Sequence, residues 1–583
     1  MIKKFAAYIG KYKKYLMIVP ALVFLDVLSE LSMPILMSKI VDVGIPAKNI
    51  SYIAGIGGIM VLLAALAIGF GTLFMKYSSV VALGFGANLR EAMFKKVQSF
   101  SFKNIDYFST ASLVTRLTND VNNLQMTFMM VVRLLLRAPL MLIVAFFFAY
   151  NINAQLSLVL AIAIPVLVIS VYLIMRSAVG LFGKMQHWID NLNRVIQENL
   201  IGIRVVKAFV RTDYEEEKFK DSNDGYTKAA IKAMSLVILN MPVMMFIMNG
   251  ATLAIIWYGG HMVFFGTLGA GELISFISYI MQILMSVMMI SMVVVMSARA
   301  MASGERILEV LETKVDITDS DEVYALPEPL TVKNGKVEFR DVAFKYDLEG
   351  SGEHVISNIN FVAQPGEVIG IVGGTGVGKT TLVNLIPRLY DVVEGSVLVD
   401  GHDVREYSLQ TLRNAIGVVL QNNVLFSGTI RENVMWGNEQ ASQEEVEEAC
   451  RNAQAHDFIM SFPDGYDTYL GQGGVNVSGG QKQRLCIARA MMKKPKILIL
   501  DDSTSAVDSS TEAKIRESFY HDLSDTTVFI IAQRISSVSN ADKIIVLDDG
   551  KIVDYGNHKT LMKDSTVYQE IYTSQQEGVL ANG

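Results

Sequence analysis

The residues best suited to do chemistry lie at 367–381, EVIGIVGGTGVGKTT. A β-branched apolar run enters a loop of Gly373, Gly374, Thr375, Gly376, Val377 and Gly378, and KTTLVNLIPRL leaves it with the pattern of a helix. Glycines at this spacing let successive backbone N–H groups wrap a polyphosphate at a helix N-terminus, where the helix dipole favours negative charge. Lys379 then reaches the outer phosphates and the Thr380 hydroxyl is placed to ligate Mg²⁺, with Thr381 next in the same phosphate-binding run. A second apolar run, ILIL (497–500), ends in Asp501 and Asp502. A carboxylate at the end of a buried parallel strand beside such a loop holds Mg²⁺, a role that falls to Asp501. VFIIA (528–532) reads as a third strand running up to Gln533, and KIIVLDDGKIVDYG (543–556) as a hairpin turning on Asp549-Gly550. Tyr346 is an aromatic able either to stack on a nucleobase or to pack a strand. ATP with Mg²⁺ is the cofactor pair this constellation calls for.

An α/β domain must hold those side chains, and the composition makes it only part of the chain. Of 583 residues 51% are hydrophobic and 19% charged, with mean hydropathy +0.36, whereas soluble domains carry about 25% charged residues. Six apolar stretches near 16–36, 52–75, 131–150, 155–175, 236–258 and 273–296 approach the roughly 20 residues that cross a bilayer. The basic, amphipathic opening MIKKFAAYIGKYKKY reads as an interfacial helix before a retained span, because no small-residue cleavage site follows it. Short loops near 44–51, 151–154 and 264–271 hold only Lys48 among Lys and Arg, whereas the long ones at 76–130 and 176–235 carry six and ten. The positive-inside rule therefore places both termini, both long loops and the ATPase domain in the cytoplasm of a multi-pass cell-membrane protein. The long loops are helical in pattern, so they predict extensions reaching well below the bilayer. The expected organisation is a membrane domain at 1–305, an acidic then proline-containing linker at 306–335 and a nucleotide-binding domain at 336–583. A net charge of −6 with no basic domain excludes nucleic acid as a partner. Cys450 and Cys486 stand apart from any CxxC or histidine cluster and read as ordinary buried thiols.

Between the glycine loop and Asp501 stands VSGGQKQR (477–484). Ser478, Gly479, Gly480 and Gln481 in it resemble the signature sequence of ABC transporters, with Gln421 at the Q-loop and Ser505-Ala506-Val507-Asp508 at the D-loop. FSTASLVTRLTNDV (108–121) and NRVIQENLIGIRVVKAFVRTDYEEEKF (193–219) are similar to the cytoplasmic loops of ABC exporters of the six-helix half-transporter type. The resemblance spans essentially the whole chain. It implies a polytopic α-helical membrane domain of six transmembrane helices with long cytoplasmic extensions, followed by an α/β P-loop ATPase domain. It also implies that two such domains pair head to tail, each ATP lying between one chain's glycine loop and the other's signature, with Gln421 joining Thr380 and Asp501 at the metal. Short coupling helices are expected around 104–112 and 212–217.

The sequence departs from the family at two positions. Asp502 stands where the family carries a glutamate that acts as base or water-positioner, and Gln533 where it carries a switch histidine. The shorter carboxylate falls short of the attacking water, and misplacement by about 1 Å can lower a rate by about 10²-fold. The amide cannot become cationic to offset transition-state charge. Gln472, in YLGQGG, replaces an acidic residue common in exporters. The expectation is a weakly hydrolytic site in one half of a heterodimeric multidrug exporter, whose non-identical partner half-transporter supplies the competent site. Alternatives are a slow homodimer, a lipid or peptide exporter (the latter weakened by the want of a peptidase-like extension), or a regulatory ATP-binding subunit. Asp26 and Glu30 share one face of the first span and either line a cavity for hydrophobic or cationic substrates or pair with a Lys or Arg or lie near the membrane boundary. Met244 and Met248 in the fifth span, and Met285, Met289 and Met292 in the sixth, form stripes that line a flexible site or simply pack. Phe146, Phe147 and Phe148 read as lipid-facing or core.

Overall fold

The computed structural model describes residues 2–319, 323, 328–346, 354–502, 507–522 and 524–581, without the side chains at 2, 291–299, 509, 520–522 and 577–581. Met292, Ser505 and Ala506 therefore lie outside the described side chains. Contacts divide the chain into two units, one of residues 1–98 and 110–313 and one of residues 99–109 and 314–583.

The first unit is helical throughout. A short helix, Ile2–Ala6, and a tighter turn, Ala7–Tyr12, lead into α1 (Lys13–Lys39), the chain changing direction at Gly10 with φ +54°. Next come α2 (Ile50–Gln98) and α3 (Phe102–Phe108), the latter belonging to the second unit. The bundle continues with α4 (Val121–Ile152), α5 (Ala154–Ile201), α6 (Thr212–Ile238), α7 (Asn240–Phe264) and α8 (Ala270–Glu312). Among the described residues six helical segments are long and apolar enough to cross a membrane. At 49 and 48 residues, α2 and α5 are more than twice the roughly 20 residues a bilayer needs, so each span runs on as helix into the long basic loop that follows it. Pro20, Pro34, Pro139 and Pro165 sit inside these helices, where neighbouring helices can satisfy the freed carbonyls. Asn153 separates α4 from α5, its side chain accepting the N–H groups of Gln155 and Leu156 at 3.0 Å each.

The short helices fall partly elsewhere than expected. Residues 104–112 straddle α3 and the next turn, because Ser109 adopts φ +55° and breaks the helix. Ser101 starts α3 with a capping box to Asn104, and the Tyr390 hydroxyl donates to Asp106 at 2.7 Å. Residues 212–217 are the first turns of the 27-residue α6, not a separate helix. The short helix of that loop is Ile203–Ala208, bounded by Gly202 and by Val210 at φ +53°.

The second unit holds two principal sheets and a small antiparallel pair of β7 (Gly428–Thr429) and β8 (Tyr469–Leu470). A four-stranded antiparallel sheet orders β1 (Val337–Phe344), β2 (Ile356–Ala363), β4 (Glu394–Val399) and β5 (His402–Asp403) as β2-β1-β4-β5. A six-stranded sheet runs β12-β11-β3-β10-β9-β6, built from β3 (Val368–Gly373), β6 (Ile416–Val419), β9 (Ile497–Asp501), β10 (Thr527–Ile531), β11 (Lys543–Asp548) and β12 (Lys551–Gly556). All neighbours in it pair in parallel except β12, which returns through the Asp549-Gly550 turn, where both residues have positive φ. The central strands β9 and β10 are buried along their whole length, as a parallel sheet covered on both faces requires. Cys450 and Cys486 are buried free thiols in one of the two cores.

Candidate functional site

Three neighbouring strands, β3, β10 and β9, deliver their C-terminal ends to one place, the edge of a parallel sheet where ligands settle. The glycine loop leaves β3 and enters α9 (Lys379–Asn384). Gly378 holds φ +94°, and a Cβ there would lie 2.6 Å from the Ile356 side chain; Gly373 has its own close approach, 2.3 Å from the Leu547 carbonyl oxygen. Both positions exclude any side chain. A cavity of about 530 Å³ opens over the loop. Its walls include Tyr346, Gly373, Gly374, Thr375, Gly376, Gly378, Lys379, Thr380, Thr381, Gln421, Asp501, Asp502 and Gln533.

Lys379 curls over the loop, its Nζ donating to the carbonyls of Gly373 at 2.9 Å and Gly374 at 2.6 Å. Burial pushes its pKa down, against the pull of Asp501 and Asp502. The Thr380 hydroxyl donates to Asp501 Oδ1 at 3.1 Å. Asp501 is 3% exposed; burial raises its carboxyl above the usual range, the Thr380 bond opposing and Asp502 adding to the rise. Asp502, at φ +48°, lies beside Gln533, whose Nε2 donates to Asp502 Oδ2 at 2.7 Å. Burial raises Asp502 as well, against the Gln533 bond and Lys379. Tyr346 packs edge-on against Phe344 and Tyr390, its hydroxyl 2.8 Å from Thr381 Oγ1, and its ring remains 44% exposed at the cavity rim. It therefore packs against the strand while part of its surface stays open to the cavity.

Several expected residues are not part of this cavity. Val377 packs against the core beneath it. Ser478, Gly479, Gly480 and Gln481 lie away from the cavity wall at the start of α10 (Gly479–Met492). There Ser478 and Gln481 cap each other: Ser478 Oγ accepts from the Gln481 N–H at 3.3 Å and Gln481 Oε1 from the Ser478 N–H at 2.8 Å. This exposed helix N-terminus presents donors outward. Asp508 caps the helix Ser509–Asp522, accepting from the Thr511 N–H at 3.0 Å and the Ser510 hydroxyl at 2.7 Å, bonds that hold its carboxyl far below the usual range. Gln472 lies in the short turn Gln472–Gly474.

The sequence reading missed four wall residues, Val355, Ile531, Ile571 and Gln575. Gln575 donates to the Gln533 carbonyl at 2.8 Å and accepts from the Ile535 N–H at 2.9 Å, tying the C-terminal helix Thr566–Ala581 to the segment after β10. Only the amphipathic pattern of that helix, with Ile571 and Tyr572 packed on the core, hinted at it.

In the membrane unit, Asp26 and Glu30 do not form a bare anionic pair. Arg137 of α4 reaches both, with Nη2 2.6 Å from Glu30 Oε2 and 3.5 Å from Asp26 Oδ2. Met244 and Met248 are 2% and 3% exposed and belong to the packed core of the bundle, whereas Met285 is 53% exposed and Met289 half-buried. Phe147 faces outward, while Phe146 and Phe148 pack against the core.

A strand-loop-helix phosphate cradle, an acidic strand end and an exposed capped signature on a six-span helical chain define a nucleotide-driven membrane transporter. Comparison with known proteins agrees. Residues 16–287 match the ABC transporter transmembrane region and residues 356–505 the ABC transporter domain. A Bacillus subtilis protein named as an uncharacterized ABC transporter ATP-binding protein, YfiB, is 38% identical over 576 residues, covering 98% of each chain. An ATP-dependent lipid A-core flippase of Syntrophus aciditrophicus is 36% identical over 84% of this chain and 80% of its own. The solved structure of a bacterial Atm1-family ABC exporter with ATP bound superposes with TM-score 0.79 at 26% identity, covering 97% of this chain and 99% of that one. The chain belongs to the ABC transporter family as a half-transporter of exporter fold. It is a multi-pass membrane ATPase and translocase whose ATP-binding domain is cytoplasmic.

Proposed function

We propose that this chain is one half of a heterodimeric exporter of hydrophobic compounds, holding ATP at its own glycine loop while hydrolysing it slowly. The observation that carries the reading is the bond between Gln533 and Asp502. The two positions that should hold a water-orienting carboxylate and a cationic switch instead satisfy each other, beside an intact cradle. Asp502 is short of where a glutamate would act, and Gln533 offers a hydrogen bond without charge. The intact Ser478–Gln481 cap then serves a second chain, whose own carboxylate and histidine complete a competent site.

The residues present suit Mg²⁺, because the Thr380 hydroxyl, the Asp501 carboxylate and the Gln421 amide are hard oxygen donors on one cavity. These three would hold the ion, which when bound neutralises charge on the outer phosphates. Lys379, freed from the Gly373 and Gly374 carbonyls, turns its ammonium to the phosphates, and Tyr346 offers its exposed face to the base.

The substrate reading is hydrophobic or weakly cationic, because Asp26 and Glu30 with Arg137 carry one net negative charge. The lipid A-core flippase among the relatives favours a second reading, a lipidic substrate. The test purifies the chain alone and with co-expressed half-transporters carrying Glu and His at the two positions. The expected result is substrate-stimulated ATPase only in the mixed pair. Brisk stimulated hydrolysis by the chain alone overturns the heterodimer. Unchanged export of cationic dyes by Asp26→Asn with Glu30→Gln would leave the lipid reading standing.

A further inference from the structure

Among the described residues, the seam between α2 and α4 carries a cation with no carboxylate in ion-pairing distance. Arg133 Nε donates to the buried Ser78 hydroxyl at 3.0 Å, and Nη2 to the Ser79 hydroxyl at 2.6 Å and the Met75 carbonyl at 3.3 Å. All three acceptors are neutral. One turn further along α4, Arg137 takes both Asp26 and Glu30. Among the described residues no carboxylate lies within ion-pairing distance of Arg133, nor of the exposed Lys76, which shares a face of α2 with Ser79. Lys76 therefore lies one helical turn from the Ser79 that Arg133 contacts, on the same stretch of the α2–α4 seam.

Depth says what that spot faces. Arg133 lies 19 residues before the outer end of α4 at Ile152, about 29 Å along the helix axis. Lys76 lies 26 residues after the start of α2 at Ile50, about 39 Å along its axis. The hydrocarbon core is about 30 Å thick, so the pair sits at the cytoplasmic boundary between acyl chains and headgroups. The neighbouring aromatics mark the same level independently. Tyr77, adjacent to Lys76, stacks on Tyr15 at 5.4 Å with the planes 15° apart, and the Lys14 ammonium lies 5.0 Å from the centre of the Tyr15 ring. Tyrosines and lysines at this depth form an interfacial belt.

We propose that Lys76 and Arg133 form a site for the phosphate of an anionic phospholipid resident in the cytoplasmic leaflet. The guanidinium is fixed in place by Ser78 and the Met75 carbonyl, so its remaining donors are preorganised for a phosphate oxygen. The lysine supplies a second charge on a flexible stem, while the Ser79 hydroxyl, donating to the Met75 carbonyl at 2.8 Å, only holds the guanidinium. Basic pockets between spans on the cytoplasmic side recognise anionic headgroups in this way. The occupant is a lipid of the bilayer itself, not cargo.

The test purifies the full chain, with whatever partner accompanies it, from bilayers of equal phosphatidylglycerol and phosphatidylcholine and quantifies retained lipid by mass spectrometry. The wild type should enrich phosphatidylglycerol. Lys76→Gln and Arg133→Gln should each reduce the enrichment about fivefold, and together about 30-fold, at the usual strength of a basic side chain near an anionic surface. Arg133→Lys, which keeps the charge while loosening the seam, should retain most of it. Should Arg133→Gln fail to fold, Lys76→Gln decides alone, because Lys76 makes none of the seam's hydrogen bonds. Equal retention of the two lipids by the wild type, or undiminished enrichment in Lys76→Gln, overturns the site. Loss of the bound phosphatidylglycerol on adding ATP also overturns it, since that behaviour belongs to cargo.

Discussion

The nucleotide cavity and the intramembrane cluster of Asp26, Glu30 and Arg137 both gather acids and bases, and they do so on opposite terms. In the cavity, strand ends of one sheet place each group, and the carboxyls of Asp501 and Asp502 are left strained by burial, with one hydroxyl and one amide to steady them. In the cluster the counter-charge comes from another helix of the same chain, and Arg137 neutralises what α1 presents. Even there the match is incomplete. Among the described residues Asp26 Oδ2 and Arg137 Nε have no hydrogen-bond partner, the 3.5 Å approach of Nη2 being an ion pair without a hydrogen bond. A binding site keeps its polar groups in want of a ligand, whereas a structural cluster answers its own charges.

The sharpest way to break that contrast is to remove the counter-charge. Arg137→Ala leaves two carboxylates against each other inside the bilayer, and breaking a buried pair in this manner costs about 3–5 kcal/mol. The expected outcome is a large fall in the thermal unfolding midpoint of the detergent-solubilised protein, largely reversed when Asp26→Asn and Glu30→Gln are added. A stable Arg137→Ala protein would mean that the cluster is not structural. Next in size is Lys379→Ala, which should lower the slow ATPase of the isolated chain by about 10²–10³-fold, the usual loss when a charge-stabilising donor is removed. Unlike Arg137→Ala, it should leave the unfolding midpoint of the nucleotide-free protein close to wild type. A smaller effect is expected from Asp502→Glu with Gln533→His, which should raise hydrolysis by the isolated chain at least about tenfold, since restoring a reacting group by about 1 Å is worth up to about 10²-fold. No gain would mean that the slow site is set elsewhere.

The same contrast explains what could be read before the fold was known. The glycine loop, Asp501 and the capped Ser478–Gln481 are legible because phosphate chemistry demands particular residue types at fixed local spacing. The six spans are legible because a bilayer demands length and apolarity. The pairing of Arg137 with Asp26 and Glu30 was not, because the partners lie on helices more than a hundred residues apart and nothing local encodes their registry. Nor was the short helix at Ile203–Ala208, since its bounds depend on Gly202 and a left-handed Val210 rather than on a proline. Gln575 reaches the cavity only because its helix folds back on the core from the far end of the sequence.

The smallest effect tests the cavity's half of the comparison by titration. Burial raises the Asp501 carboxyl above its ordinary value of 3.8. The folded state then binds a proton more readily than the unfolded state, so stability falls as pH climbs from the unfolded value through the folded one. Asp501→Asn removes the charge while keeping an oxygen for the Thr380 hydroxyl, which donates to Oδ1. Nucleotide-free Asp501→Asn should therefore melt a few degrees above wild type at pH 7, the shift that about 1 kcal/mol produces in a domain of this size. The difference should shrink as the pH is lowered towards 4, where the wild-type carboxyl takes up its proton. With ATP and Mg²⁺ the order should reverse, because the wild type gains binding energy that the variant forgoes. If the nucleotide-free variant instead melts lower, the carboxylate stabilises the empty cavity, and the cavity answers its own charges just as the intramembrane cluster does.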